Sequence, residues 1–230
     1  MPEHSHPPVD KRISILIPCY NSGHTLLELI SKIKKELPYT KILIVNDGST
    51  DQTESIAHSS RAHIISTSKN KGKGSAILTG MLALKNSEWV ICMDADLQHD
   101  PSDLNCFIEA IDSEQFDLII GYRKRSGTEM PFSRILSNSL TSFLLSLRLG
   151  IKVKDAQCGF RAIRISTAVK HDFLEKRYMF ETEYLIRSAL KKQKIGWVPV
   201  KTIYNDSKSY IRPWVDTFKF VTLWFKSFVW

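Results

Sequence analysis

The sequence predicts an α/β fold in which a mostly parallel central sheet is flanked by helices. Between residues 13 and 121, short apolar segments typical of strands alternate with segments whose apolar residues recur at helical spacing. Short polar turns join them, and this alternation favours parallel βαβ units. The length of 230 residues, with 43% hydrophobic and 24% charged residues, suits one large soluble domain with or without a small appendage.

The first half of the chain supplies most of the predicted sheet. Strands are predicted where apolar residues run together and end at turn residues, at residues 13–18, 41–45, 62–66, 88–93 and 117–121. Helices are predicted where apolar residues recur every three or four positions, at residues 25–37, 51–58, 73–84 and 101–111. The last helix has Pro101 at its first position, where a missing backbone N–H is tolerated.

The pattern changes after residue 121. A long amphipathic stretch covers residues 131–149, and strands are predicted at residues 159–165 and 195–204, the second with a proline typical of an edge or bulge. Helices are predicted at residues 180–191 and 212–230, and the second is rich in aromatic residues. We therefore predict a flexible tail at residues 1–12, one domain at residues 13–212 and an aromatic C-terminal helix at residues 213–230.

Charge is distributed unevenly along the chain, whose net charge is +8. Residues 1–120 carry 11 Lys and Arg against 16 Asp and Glu, a net charge of −5, whereas residues 121–230 carry 21 against 8, a net charge of +13. An acidic half suits metal ions and sugar hydroxyls, and a basic half suits phosphate, nucleic acid or an anionic membrane surface. Solvated helix faces are the plain alternative for any single lysine.

Cysteine spacing and hydropathy exclude several classes of protein. The four cysteines, Cys19, Cys92, Cys106 and Cys158, lack the CxxC spacing of zinc sites. Cys19 and Cys92 lie in apolar strand contexts, so we predict buried thiols in a reducing cytosol. No secretory signal is visible, and no stretch reaches the roughly 18 apolar residues that a membrane span requires.

Two acids, Asp94 and Asp96, follow the apolar strand predicted at residues 88–93. A carboxylate inside a sheet is costly unless it is paired or holds a metal, so both are expected at the carboxyl end of the strand. On an extended chain they would point the same way, as would Gln98. Hard oxygen ligands suit Mg²⁺ or Mn²⁺, which would bridge a diphosphate and neutralise its charge as it leaves. His99 is expected to be structural.

Two other strand ends are expected to meet this one, because open α/β sheets bind ligands at the carboxyl ends of their strands. The first strand leads into Tyr20 and Asn21, and the second leads into Asp47. The carboxylate of Asp47 could accept hydrogen bonds from a nucleobase or a ribose. The alternative is a plain turn in which Ser49 or Asp51 caps the next helix.

A glycine-rich segment, KGKG at residues 71–74, opens the helix predicted at residues 73–84. Backbone N–H groups at a helix start, together with the side chain of Lys73, could contact a phosphate. The spacing is not that of a P-loop, and no Gly-x-Gly-x-x-Gly follows the first strand, which counts against a dinucleotide oxidoreductase. A flexible start of the helix is the plain alternative.

Seven motifs, in this order, resemble glycosyltransferase family 2: IPCYN, VNDGSTD, NKGKGSA, MDADLQHDP, DAQCGFRA, FETE and VPVKTIYNDSKSYIRP. The resemblance covers residues 13 to about 216 and is greatest for the branch that transfers a sugar to a polyprenyl or dolichyl phosphate. It implies a GT-A fold over residues 13–212, a nucleoside diphosphate sugar donor, Mg²⁺ or Mn²⁺, and inversion at the anomeric carbon. Ser22 departs from the pattern, because many relatives have an acid there, and uridine and guanosine donors both stay open.

The resemblance also implies roles on the donor side. The positions that contact the donor base are Pro18, Tyr20 and Asp47, and the substrate-binding set further includes Asn21 and Lys73. The stretch that binds metal and diphosphate contains Asp94, Asp96 and Gln98. A loop that closes over the donor phosphates contains Lys208 and Arg212.

On the acceptor side, Arg123 and Arg134 match positions that hold the acceptor phosphate in lipid-phosphate enzymes. A guanidinium is a two-pronged donor suited to phosphate oxygens, and a phosphate acceptor needs positioning rather than a strong base. Asp155 and Gln157 match the motif that lines the sugar pocket. A sugar or protein hydroxyl acceptor would need a carboxylate base, for which Asp155 or Glu181 could serve. Surface salt bridges are the plain alternative for the two arginines.

The last segment favours a membrane partner. Its Trp and Phe residues, with Lys219 and Lys226 at helical spacing, are typical of an interfacial helix, and residues 132–149 form a second candidate. We expect an enzyme that is peripheral on the cytoplasmic face of a membrane, with a nucleotide sugar and a polyprenyl phosphate as partners. Docking on the core or on a second subunit is the alternative for this helix.

Two functions other than catalysis are also compatible with parts of the sequence. The basic half would suit a nucleic-acid-binding module, but the sequence has no motif for one, and such a module would not explain Asp94 and Asp96. We therefore expect no nucleic-acid partner. A catalytically idle membrane scaffold is the other reading, and metal binding would argue against it.

Overall fold

The structure, a computed structural model, describes residues 12–123, 132–168, 173–175, 177, 179–203 and 213–230, and only the backbone of residues 132–137 and 213–216. The strands in these ranges are β1 (Ile13–Cys19), β2 (Lys41–Asn46), β3 (His63–Ser66), β4 (Trp89–Cys92), β5 (Leu118–Arg123), β6 (Arg161–Arg164) and β7 (Ile195–Val200). The α-helices are α1 (Gly23–Glu36), α2 (Thr53–Ser59), α3 (Lys73–Ala83), α4 (Leu104–Asp112), α5 (Phe132–Leu149), α6 (Phe180–Leu190) and α7 (Pro213–Lys226). Most of the predicted tail lies outside the described residues.

As predicted, the strands form one mostly parallel sheet. Their order in it is β3-β2-β1-β4-β6-β5-β7. Strand β1 is parallel to both of its neighbours, and β2–β3 and β5–β7 are also parallel pairs. Strand β6 runs antiparallel to β4 and β5, with Arg161 opposite Cys92. Because of this reversal, the loop before β6 lies at the same edge of the sheet as the carboxyl end of β4.

Strands β1 and β4, at the centre of the sheet, are almost entirely apolar. The fully buried side chains of β1 and β4 include Ile15, Leu16, Ile17, Val90 and Ile91. Continuous apolar strands are typical of a parallel sheet that is covered on both faces. Cys19 and Cys92 are buried, as predicted, and the four cysteines are free thiols.

Helix α3 packs very closely on β1. A Cβ atom at Gly80 would lie 2.2 Å from Cδ1 of Leu16, so only glycine allows this approach. The contact fixes the position of α3, whose first residue is Lys73.

Some element bounds differ from the predictions. Strand β7 ends at Val200 rather than at residue 204, because its partner β5 ends at Arg123 and the next N–H, of Lys201, donates to Oδ2 of Asp103 at 2.7 Å. As the proline in it suggested, β7 is an edge strand. The helix predicted from residue 101 begins as a 3₁₀ turn, Pro101–Asp103, before α4. None of the helices that the structure describes is both long enough and apolar enough to cross a bilayer.

Replacing Gly80 by alanine should lower the free energy of unfolding by about 1–2 kcal/mol. The added methyl group must displace either α3 or Leu16, and this cost should exceed the roughly 1 kcal/mol by which alanine is the better helix former. Urea unfolding followed by circular dichroism measures the change. Leu82→Ala is the control on the same helix, since Leu82 is 74% exposed; an equal loss in both variants would contradict the tight contact.

Candidate active site

The candidate site lies at the carboxyl edge of the sheet. The ends of β1, β2 and β4 meet there with the loop before β6 and with the first residues of α3 and α6. Most of the residues selected from the sequence are on these segments. The site is therefore built from parts that are far apart in the chain.

The turn after β4 carries Asp94, Asp96 and Gln98. The expectation of an extended chain here is wrong, because β4 ends at Cys92 and the chain then turns, with Leu97 at φ 60°. The N–H of Gln98 donates to Oδ1 of Asp96 at 3.0 Å. This short-range bond favours a turn over continued strand, because the carboxylate competes for a backbone donor.

Lys73, on α3, joins this turn to α6. Its Nζ lies 2.6 Å from Oδ1 of Asp94 and 2.7 Å from Oε1 of Glu181. A Cβ atom at Gly159 would lie 2.4 Å from Oδ2 of Asp94 and 2.7 Å from Nζ of Lys73. Only glycine at this place in the loop before β6 leaves room for the ion pair.

The charges of this cluster shift the pKa values of its members. Burial alone would lower the pKa of Lys73, but the charges of Asp94 and Glu181 outweigh it and raise that pKa. Burial likewise opposes the ionisation of Asp94, yet Lys73 lowers the pKa of this acid. Burial, with the charge of Asp94 as the second cause, raises the pKa of Asp96 to about 6. Asp96 therefore takes up a proton more readily than an ordinary aspartate.

The donor atoms of this turn fit a divalent metal bound together with a diphosphate. In the described part of the chain, no three His, Cys, Asp or Glu side chains are grouped so as to hold a metal ion by themselves. Mg²⁺, however, commonly takes one or two carboxylates and completes its shell with substrate phosphates and water. Asp94 and Asp96 supply two carboxylates, and a dication would offset the repulsion between them.

A second ion pair lies at the same edge. Nε and Nη2 of Arg123, at the end of β5, donate to the two carboxylate oxygens of Asp155 at 2.7 and 3.1 Å. Asp155 is 1% exposed. Although burial opposes it, the charge of Arg123 lowers the pKa of Asp155. Asp155 is therefore a weak base, and Arg123 already has a carboxylate partner. Gln157, two residues on, is exposed.

Arg161 was not selected from the sequence, although it belongs to the DAQCGFRA motif. It is 1% exposed, and its guanidinium donates to the carbonyl oxygens of Cys158 and Glu181. These bonds tie the loop before β6 to the start of α6, which carries Glu181. The sequence signal for Arg161 is its position in an apolar strand segment. Burying a guanidinium there is costly unless its N–H groups are hydrogen-bonded, which indicates a structural or functional role.

His99 is buried and interacts electrostatically with members of both ion pairs. Its ring packs against Phe160 at 5.3 Å between centroids. Burial lowers the pKa of His99 to about 4, so the imidazole is neutral near pH 7. Its Nδ1 has no hydrogen-bond partner among the residues that the structure describes.

Asp47 is committed to the protein's own backbone. Its carboxylate accepts hydrogen bonds from the N–H groups of Lys71 and Gly72, the second at 2.7 Å, and from Oγ1 of Thr67 at 3.2 Å. Asp47 therefore ties the end of β2 to the segment that leads into α3. Asp51 plays a comparable part, since its carboxylate accepts from the N–H of Gly23 at 3.0 Å.

The residues at the end of β1 lie beside this segment. Pro18 is half-buried and Tyr20 is 41% exposed. Asn21 has φ 51°, and its Oδ1 accepts the N–H of Thr50 at 2.8 Å, which fixes the turn after β1 against the turn after β2. An exposed tyrosine ring next to a fixed turn is available for stacking on a base.

Three of the residues selected from the sequence lie wholly or partly outside the described residues. Lys208 and Arg212 lie outside the described residues, as does the side chain of Arg134, although its backbone is part of α5. The segment with Lys208 and Arg212 follows Ile203, whose N–H donates to the carbonyl oxygen of Gln98 at 2.9 Å. Ile203, the last described residue before this segment, therefore lies beside the turn after β4.

The model of the family described as Glycosyl transferase family 2 matches residues 14–170. A protein of Methanococcus voltae named UDP-N-acetylglucosamine–dolichyl-phosphate N-acetylglucosaminyltransferase is 30% identical over 221 residues, which are 86% of this chain and 88% of its own. The undecaprenyl-phosphate mannosyltransferase of Micrococcus luteus is 29% identical over 208 residues, or 85% of each chain.

Among solved structures, the glucosyl-3-phosphoglycerate synthase of Mycobacterium tuberculosis in complex with Mn²⁺, UDP and phosphoglyceric acid has the same fold. The TM-score is 0.73 at 21% sequence identity, over 94% of this chain and 77% of the synthase chain. At this level of identity the likeness concerns the fold alone.

Replacing Asp155 by asparagine should lower the free energy of unfolding at pH 7 by about 3 kcal/mol, since breaking a buried ion pair leaves its other member uncompensated. The pKa of Asp155 is lowered in the folded protein, so its contribution is complete above the unfolded pKa of about 3.9 and is lost as the pH falls towards the folded value. The gap between wild type and variant should stay constant down to about pH 5 and then shrink.

Urea unfolding at a series of pH values measures this gap. The control is Asp112→Asn, because Asp112 forms a 3.5 Å pair with Arg12 in which both side chains are about half exposed, at 46% and 55%. That pair should contribute at most about 1 kcal/mol to the free energy of unfolding. Equal losses in the two variants would contradict the buried pair.

Proposed function

This chain belongs to glycosyltransferase family 2, and we propose that it transfers a sugar from a UDP- or GDP-sugar to a polyprenyl phosphate at the cytoplasmic face of a membrane. The observation that carries the proposal is the turn with Asp94 and Asp96 at the carboxyl end of β4, faced by Lys73. The chain is a glycosyltransferase with the GT-A fold that the motifs implied. The acceptor class is supported by the two relatives named as lipid-phosphate transferases.

The donor would lie along the ends of β1, β2 and β4. Tyr20 would stack on the base, and the turns held by Asn21 and Asp47 would border it. Lys73, Asp94 and Asp96 would face the diphosphate. A bound Mg²⁺ or Mn²⁺ would supply neutralisation of the charge that develops on the leaving diphosphate.

The transfer needs an acceptor oxygen placed in line with the bond that breaks. An oxygen of the acceptor phosphate attacks the anomeric carbon from the face opposite the diphosphate, and a new C–O bond forms with inversion. The bond to the diphosphate oxygen breaks, and the nucleoside diphosphate leaves with the electron pair. No proton has to be removed from a phosphate anion, so positioning is the main task.

The two candidate bases are both engaged in ion pairs, which supports a phosphate acceptor. Arg123 keeps the pKa of Asp155 low, and Glu181 lies against Lys73. A hydroxyl acceptor would need a carboxylate that is free to take a proton. Arg123 and Arg134 would hold the acceptor phosphate through charge-assisted hydrogen bonds.

A donor screen tests this proposal. Purified protein is incubated with MnCl₂ or MgCl₂, a set of UDP- and GDP-sugars and a polyprenyl phosphate, and the glycolipid is detected by mass spectrometry. We expect product from one donor, and at least a hundredfold lower rate with Asp96→Asn because one of the two carboxylates loses its charge. Asp112→Asn is the control. No donor turnover and no metal-dependent donor binding would contradict the proposal.

The acceptor class is read from the same assay. A free polyprenol should not be glycosylated, and Arg134→Ala should reduce transfer to the phosphate while leaving donor hydrolysis unchanged. Arg123→Ala and Asp155→Asn do not separate the two acceptor classes, because each removes the same ion pair. Two results would contradict the lipid phosphate as acceptor but not the transferase activity. They are metal-dependent donor hydrolysis without a lipid product and transfer to a saccharide hydroxyl.

Exposed apolar side chains on α5 and α7 support membrane contact. They recur at helical spacing and comprise Leu140, Phe143 and Leu147 on α5 and Phe218, Val221 and Phe225 on α7, which we call the apolar stripes. Nε1 of Trp224 donates to the carbonyl oxygen of Leu144 at 3.2 Å, so the two helices are in contact. Exposed apolar stripes with lysine nearby are typical of helices that lie in a membrane interface.

The double variant Phe143→Ser, Phe225→Ser should bind vesicles of anionic phospholipid at least tenfold more weakly than wild type, since each exposed Phe would contribute roughly 1.5–3 kcal/mol when buried. Vesicle flotation measures binding. Leu82→Ser, on α3, is the control for loss of an exposed apolar residue. The wild type could instead fail to bind vesicles and form a dimer that the double variant disrupts. That result would assign the apolar stripes to a subunit interface.

A further inference from the structure

We infer that Lys73 is a built-in cation that occupies the metal side of Asp94 until a nucleoside diphosphate arrives, so that metal and donor bind tightly only together. The inference rests on the proposed function, which assigns Asp94 to a divalent metal. The dependence of metal binding on donor binding is a property that a pair of metal-binding acids alone would not have. Lys73 would compete with the metal and would also be the residue that couples metal binding to donor binding.

The contacts of Lys73 are those of a competitor. Its Nζ lies 2.6 Å from Oδ1 of Asp94, which is contact distance for a charge-assisted hydrogen bond. A divalent cation bound to the same carboxylate would meet a positive charge at close range. Metal binding without nucleotide must therefore displace the ammonium or suffer its repulsion.

The surroundings leave the ammonium little freedom while it holds Asp94. Gly159 closes one side, since a Cβ atom there would lie 2.7 Å from Nζ. Glu181, which is 3% exposed, holds it from another side through Oε1 at 2.7 Å. The start of α6, which carries Glu181, is in turn braced by the buried guanidinium of Arg161.

Lys73 nevertheless has a route away from Asp94. Its side chain is 22% exposed, so part of it borders solvent. Oε2 of Glu181 has no hydrogen-bond partner among the described residues and can accept the ammonium as it turns. The anionic oxygens of a diphosphate would attract it further, and Asp94 would then be released. Because linkage is reciprocal, metal would tighten donor binding by the same factor.

The first test measures Mn²⁺ binding by the loss of the free-ion EPR signal, in the absence of any donor or acceptor. Lys73→Gln keeps hydrogen-bonding capacity at this place but removes the charge, and Lys69→Gln removes the same charge from an exposed residue of the segment before α3. We expect Lys73→Gln to bind Mn²⁺ at least tenfold more tightly than wild type, and Lys69→Gln to stay within threefold of it. An unchanged affinity in Lys73→Gln would overturn the inference.

The coupling is measured by repeating the titration with UDP and UMP and with GDP and GMP. In wild type, at least one of the two diphosphates should tighten Mn²⁺ binding more than its monophosphate does, and this gain should be at least fivefold smaller in Lys73→Gln. An equal gain in both proteins would overturn the role of Lys73 in coupling. Asp96→Asn separates this from the proposed function, since undiminished Mn²⁺ binding by that variant would reject the assigned metal site itself.

A measurement on the wild type covers the case in which Lys73→Gln does not fold. Limiting acetylation of lysines, followed by mass spectrometry, reports how accessible each amine is. Saturating Mn²⁺ should raise the acetylation rate of Lys73 at least threefold, because the amine is displaced from Asp94, and should leave that of Lys69 unchanged. A Lys73 that stays equally protected while Mn²⁺ is bound would overturn the inference.

Discussion

The contact of Lys73 with Asp94 and Glu181 is the interaction on which the arrangement of the site depends. Through the partly buried ammonium group of Lys73, this contact joins α3, the turn after β4 and α6. Two acids so close together would repel each other without that cation, and one of them is almost fully buried. The close packing of α3 on β1 at Gly80 and the space left at Gly159 both serve to keep the ammonium where the two carboxylates need it.

The reversal of β6 is the second constraint. In an all-parallel sheet the loop before this strand would lie at the opposite edge, far from Asp94. Because β6 is antiparallel to β4, the segment with Asp155 and Gln157 comes to the edge where the ligands of α/β sheets bind. The Arg123–Asp155 pair then links that loop to the end of β5. Side chains from the turn after β4 and from the loop before β6 thus lie at one edge of the sheet.

Much of the fold and part of the site could be predicted from local pattern. The strands with continuous apolar residues, such as β1 and β4, were found because their burial on both faces leaves a direct trace in composition. The acids after β4 were selected because charge directly after a buried strand requires a partner. The bounds of β7 and the turn at Asp94–Gln98 were missed, since they depend on Asp103 taking a backbone donor and on Asp96 competing for another.

The sequence by itself determined the α/β class, the family and the group of polar residues at strand ends, because periodicity, composition and motif order are properties of the chain alone. Only the tertiary structure decided which charges are partners. Arg123 and Asp155 are 32 residues apart and Lys73 and Glu181 more than 100, and no local rule relates their side chains. The same is true of Asp47, whose carboxylate is taken by the backbone of residues 71 and 72. Pairing energies in a buried site depend on distance and desolvation, and both are set by packing between segments that the sequence does not place side by side.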